Sequence, residues 1–155
     1  MYTKPIRGKQ LNKAHPLARG LTLAYLLNEQ SGAVVYDYAG QNHGDFYSAP
    51  SWSAGGILFE GTSSYIVSRA SIGVLTELTI AIKVRPMGTA DGGWVCIGTS
   101  NNNRDGYTGL RRDEYTEVRG CYYNGTGVAK RVNAPENTLP VGTAKTVVLT
   151  ASSGE

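Results

Sequence analysis

The side chains best suited to chemistry in this chain of 155 residues are one knot of carboxylates and a scatter of tyrosines. The carboxylates lie in Asp113-Glu114-Tyr115-Thr116-Glu117. Glycoside hydrolysis needs two carboxyl groups on one strand face, about 5–5.5 Å apart when configuration is retained. Glu114 and Glu117 are three residues apart and so point to opposite faces of a strand, while Asp113, Tyr115 and Glu117 share a face. The spacing misses the hydrolytic pattern, and Arg111, Arg112 and Arg119 crowd it, so the run reads as a charged, solvent-facing hairpin. There is no nucleophile elbow, no Gly-rich phosphate loop before a helix and no histidine pair for a triad. The chain is expected to be non-enzymatic. Two Cys and two His, at no ligand spacing, argue against zinc. Cys96 and Cys121 fall in different predicted strands and could face each other; they read as reduced, semi-buried small side chains.

The 10 tyrosines offer binding chemistry instead. Exposed aromatic rings serve as apolar platforms for sugars when Asn or Asp hydrogen-bonds beside them. Tyr107, Tyr122, Tyr123 and Asn124, with Asn101–Asn103 nearby, are the candidate glycan-binding residues. Tyrosine is also a favoured strand residue, so structural use competes with this reading.

Charge divides the chain. The formal net charge is +3, yet residues 1–20 hold Lys4, Arg7, Lys9, Lys13 and Arg19 without one acid. The remaining 135 residues carry 10 basic and 12 acidic groups and are slightly negative. A nucleic-acid binder concentrates Lys and Arg over a folded face, which this pattern does not. The expectation is a solvated arm or, more sharply, an arm that docks through these five cations on an acidic protein surface, kept extended by Pro5 and Pro16. No stretch approaches the ~20 apolar residues of a membrane span, and Met1-Tyr2-Thr3-Lys4-Pro5 opens no signal-peptide core.

The elements that must position these groups read as strands throughout, with Gly 20 and Pro 6 supplying turns. Leu21, Leu23, Tyr25 and Leu27 alternate with Thr22, Ala24 and Leu26, which predicts a strand. Val34-Val35-Tyr36 is a short β-rich run before a polar loop over 37–44, where Asp37 and Asn42 can hydrogen-bond their own backbone. Residues 57–59 and 65–67 flank a hairpin-like turn at Gly61-Thr62-Ser63-Ser64, which predicts that they pair. The clearest strand is 78–85, with Leu78, Ile80, Ile82 and Val84 facing a core and Thr79, Ala81, Lys83 and Arg85 facing away. Strands follow at 94–97, 107–112, 115–123, 127–132 and 145–150. Roughly ten short strands indicate an all-β sandwich or jelly roll. No repeat or linker divides the chain.

An ordered series of motifs carries a resemblance. It runs His15-Pro16-Leu17-Ala18-Arg19-Gly20-Leu21, Asn28-Glu29-Gln30-Ser31-Gly32, Asp37-Tyr38-Ala39-Gly40-Gln41-Asn42-His43-Gly44, Trp52, Gly56-Ile57-Leu58-Phe59-Glu60-Gly61, Tyr65-Ile66 and the strand ending at Arg85-Pro86. The series resembles the laminin G-like, concanavalin A-like jelly-roll domains found in bacteriophage genomes, over about residues 12–86 and more loosely beyond. The resemblance implies an all-β, two-sheet antiparallel jelly-roll sandwich over 21–155 behind an extended basic arm over 1–20, with Phe59 and Tyr65 packed between the sheets. It also implies a virion protein assembled in the host cytoplasm, either a decoration, cement or fibre-like component of a head or tail, or a lectin-like glycan-binding module. Other virion proteins, further copies of the chain and a glycan are the implied partners, with no nucleic acid and no membrane. Domains of this type often hold a calcium ion near their loops, which makes Asp37, Asn42 and Asp45 in one loop, or Asn102, Asn103 and Asp105 in another, the candidate Ca2+ ligands, against the plainer reading as turn formers. The series departs from the pattern near its end: residues 142–149 lack the tryptophan and histidines of the usual closing strand. Either the domain is shortened, a partner completes its sheet, or the chain is part of a longer product.

Overall fold

The computed structural model describes residues 11–48, 50–60, 64–70, 77–88, 92–97, 108–112, 118–123, 129–135 and 138–152. Among these the only helix is a single 3-10 turn, Pro16–Ala18; all other regular structure is antiparallel β. The chain is all-β, as its alternating pattern predicts. Its contacts divide into two compact units, Met1–Val74 and Leu75–Glu155.

The first unit is built on a three-stranded sheet. β1 (Val34–Val35) pairs with β2 (Gly44–Tyr47), which pairs with β5 (Tyr65–Ser68). β3 (Ser51–Ser53) and β4 (Gly56–Leu58) form a separate hairpin. The ladder sets two faces. On the inner one Val35 is fully buried opposite Gly44, and Phe46 sits opposite Ile66. Trp52 of the hairpin packs on Phe46 at 5.3 Å between ring centroids and donates its indole N–H to Gly32 O at 2.8 Å. Gly44 is required by close approach: a Cβ there would lie 2.5 Å from Ile66 Cγ2 and 3.1 Å from Tyr25 Oη.

Several expectations need correction in this unit. Residues 21–27 do not form a strand; only Tyr25 bridges, to Asp37, and Leu27 takes a positive φ of 53° that no strand tolerates. Residues 57–59 and 65–67 do not pair with each other, because β4 closes on β3 and β5 on β2. Phe59 and Tyr65 are therefore exposed, at 41% and 40%, and do not pack between sheets.

The second unit holds a four-stranded meander and a two-stranded ladder. The meander runs β7 (Gly92–Ile97), β8 (Thr108–Arg112), β9 (Val118–Tyr123) and β10 (Ala129–Asn133), each paired with the next. The ladder pairs β6 (Glu77–Val84) with β11 (Lys145–Ser152), from Glu77 opposite Ser152 to Val84 opposite Lys145. β6 keeps the expected alternation, with Leu78, Ile80, Ile82 and Val84 covered and Thr79, Ala81 and Lys83 exposed. Its inward side chains meet Val147 and Leu149 of β11, Leu110 of β8, Val118 of β9 and the fully buried Leu139 in one cluster. Ladder and meander approach closely at Gly120, where a Cβ would lie 2.7 Å from Leu149 Cδ1. The register places Cys96 and Cys121 opposite the same residue, Gly109, from either side. One intervening strand separates their Cα atoms by about 9.6 Å, beyond the ~7 Å reach of a disulfide.

Candidate functional site

The polar centre of the first unit is the loop between β1 and β2. Asp37 is buried, and both its oxygens are occupied by backbone N–H groups. Oδ1 accepts from Ala24 and from Ala39, each at 2.9 Å, and Oδ2 from Asn42 at 3.2 Å. Burial pushes this carboxyl up, but the N–H groups of Ala24, Ala39, Asn42 and Gly40 outweigh it and hold Asp37 below its ordinary value. Asn42 clasps Ala70 twice, donating from Nδ2 to its carbonyl and accepting its N–H, while the Asn42 carbonyl accepts the Tyr25 hydroxyl. Burial, with the charges of Asp37 and Asp45 behind it, raises the Tyr25 phenol. His43 Nδ1 accepts the Asp37 N–H at 3.1 Å. Glu29 is 1% exposed; its Oε1 accepts the Tyr36 N–H at 2.9 Å and its Oε2 has no hydrogen-bond partner.

The same loop delivers side chains to the outer face of the sheet. Ladder register brings Tyr47 opposite Tyr65 and Asp45 between Val34 and Val67. The Arg69 N–H donates to the His43 carbonyl, continuing the β2–β5 ladder by one pair. Tyr47 and Tyr65 stack at 4.7 Å with 18° between ring planes, and Tyr36 meets His43 edge-on at 5.2 Å. Arg69 grips Asp45 through two nitrogens, Nε to Oδ2 at 2.8 Å and Nη2 to Oδ1 at 2.5 Å. Arg69 holds the Asp45 carboxyl below its ordinary value, and Asp45 raises the guanidinium in return. Tyr36, Tyr47 and Val67 are about half exposed.

The structure distributes the sequence-derived candidates unevenly. Lys13 and Arg19 are exposed on either side of the 3-10 turn, whereas Lys4, Arg7 and Lys9 lie outside the described residues. Tyr107 and Asn124 also lie outside them; Tyr122 and Tyr123 end β9, opposite Lys130 and Ala129. The knot 113–117, the run Asn101–Asn103 and Asp105 are likewise outside. Asp37, Asn42 and Asp45 do share one loop region. Their oxygens face backbone N–H groups, Ala70 and Arg69 respectively, and among the described residues no group of His, Cys, Asp or Glu could hold a metal. In the second unit a mainly apolar cavity of about 300 Å³ opens between β9, β10 and β11. Lys145 at its rim donates to the Thr138 carbonyl at 2.6 Å.

The outer tyrosine face is hard to see in the sequence, because the strand Gly44–Tyr47 is only four residues long and opens on a glycine. Its signal is the alternation of Phe46 with Asp45 and Tyr47, directly after a turn-forming loop. No helix among the described residues is long and apolar enough to cross a membrane. The chain matches no family model, no curated protein and no solved structure.

Proposed function

We propose that this chain is a non-enzymatic structural protein of a virion, a decoration, cement or fibre-like component docked through its basic N-terminal arm. The observation that carries the reading is the charge partition: five cations and no acid in residues 1–20, ahead of a slightly acidic remainder. Lys13 and Arg19, the two arm cations within the described residues, are solvent-exposed and free to meet an acidic partner surface. The motif series that resembles phage laminin G-like domains supplies the virion context. The finer fold in this proposal is a two-sheet concanavalin A-like jelly roll, and the packing of the β6–β11 ladder on the meander supports it. Particles assembled with a version lacking residues 1–20 should lose the protein, and so should particles given a version with all five charges reversed. Incorporation at the normal level would sink the docking reading.

A second reading, a lectin-like module for host or environmental glycans, is favoured by the exposed tyrosines of the first unit. Its proposed contacts include Tyr107, Tyr122, Tyr123 and Asn124. Binding on a glycan array supports it, and a blank array counts against it.

A further inference from the structure

The outer face of the β1–β2–β5 sheet joins two features suited to meeting a ligand. One is a rigid aromatic pair. Tyr47 and Tyr65 are already stacked, so their rings lose little rotamer freedom when something binds, yet they remain 58% and 40% exposed. Tyr47 is the more exposed of the two rings, and the larger part of its surface stays open to solvent although one face is stacked on Tyr65. The other feature is a fixed polar group one step along the same face. Asp45 lies two residues from Tyr47, roughly 7 Å along the strand, and is held by Arg69 in a bidentate ion pair whose side chains are both about half exposed. Tyr36 and His43 continue the face beyond it.

Aromatic slabs take the C–H face of a pyranose, and planar side chains with donors and acceptors at fixed angles take its hydroxyls. The Asp45–Arg69 pair offers both acceptor and donor positions, and its two charges cancel. A phosphate, sulfate or uronate would have to compete with Asp45 for Arg69, whereas an uncharged sugar need displace neither. We infer that this face, centred on Tyr47, Tyr65, Asp45 and Arg69, binds a neutral oligosaccharide. The inference rests on the lectin-like reading above but assigns a site made of first-unit residues, other than Tyr107, Tyr122, Tyr123 and Asn124.

Affinity electrophoresis of the full chain through gels containing soluble neutral polysaccharides (a mannan, a galactan, a xylan, a β-glucan and an α-glucan) tests it. The expected result is retardation in at least one gel. Tyr47→Ala and Tyr65→Ala should each weaken it about tenfold or more, and Arg69→Ala by a smaller factor. Tyr47→Phe, which keeps the stacked ring, should retain most of the binding, and alanine variants whose circular dichroism matches the parent's should lose it without a folding defect. Tyr122→Ala and Tyr123→Ala should migrate as the parent does. Retardation that survives Tyr47→Ala and Tyr65→Ala but vanishes with Tyr122→Ala overturns this site and leaves the lectin-like reading standing. Unretarded migration in every gel overturns this site, and a blank glycan array beside it overturns the lectin-like reading as well. Self-association abolished by Tyr47→Ala, without any retardation, also overturns the inference and marks the face as a contact between copies.

Discussion

Asp37 is the residue on which the first unit should depend most. Replacing it with alanine removes the acceptors of three backbone N–H groups and leaves the 37–44 loop without its clasp. Hydrogen bonds to a charged group contribute about 1.5–3 kcal/mol each. Taking the lower figure for the two 2.9 Å bonds and half of it for the 3.2 Å bond gives a loss of about 3–4 kcal/mol. Asp37→Asn keeps a neutral Oδ1 for Ala24 and Ala39 but can turn an amide NH2 toward the Asn42 N–H, so about half that loss is expected. Urea unfolding followed by Trp52 fluorescence, in a Trp94→Phe background, reports the first unit alone. With a slope of about 1 kcal/mol per molar urea, the alanine variant should lower the midpoint by roughly 3 M and the asparagine variant by roughly half as much. The pH dependence follows from the direction of the shift. Asp37 is depressed in the folded state, so its contribution is complete above the unfolded value of about 3.9 and disappears as pH falls through the folded value. The gap between parent and Asp37→Asn should be full at pH 6 and narrow steadily below pH 4. An alanine variant within 0.5 M of the parent (roughly 0.5 kcal/mol on the same slope), or a gap constant with pH, would refute this account of the loop.

Other expectations concern packing. Gly44→Ala forces a methyl into Ile66 and the Tyr25 ring and should lower stability by about 1–3 kcal/mol, read from thermal unfolding of the first unit. At Gly120 the obstacle is the flexible end of Leu149, so Gly120→Ala should cost only about 1 kcal/mol. Combining it with Leu149→Ala in a double-mutant cycle should cost less than the two single changes added together. Leu139→Ala removes a fully buried side chain and should destabilise the second unit by about 2–5 kcal/mol, measured through Trp94 in a Trp52→Phe background.

How far the sequence foretold the structure depended on what held each segment. β6 and β11 were legible because a ladder with one buried face imposes a period of two, and Leu78, Ile80 and Ile82 show it directly. The β8–β9–β10 hairpins were legible from their turn residues. Residues 21–27 have the same alternation without being a strand, because the Asp37 carboxylate and the Tyr38 N–H, not a neighbouring ladder, satisfy Ala24. A side chain that substitutes for a strand leaves no periodic trace. The turn-closing role of Asp37 was readable from local chemistry. The pairing of Tyr47 with Tyr65 was not, since it depends on β2 choosing β5 as its partner across seventeen intervening positions. Leu139 sits in a connection with no period, so nothing local marked it as the most buried apolar side chain among the described residues of its unit.

The pairing of β6 with β11 has a consequence for synthesis. Among the described residues these strands are the first and last of the second unit, and their partnered residues are 61 to 75 positions apart. At 5–20 residues per second, a ribosome finishes β11 roughly 3–15 s after β6. The β7–β10 meander, made of sequential hairpins, can form in that interval. The apolar rows through Leu78, Ile80, Leu110 and Val118 must wait for Val147 and Leu149 to cover them. Closing so long a loop is slow and contributes nothing until it is complete. The nascent chain is thus most prone to aggregation just before β11 arrives, and its soluble yield should respond to translation speed and to chaperones that shield β6.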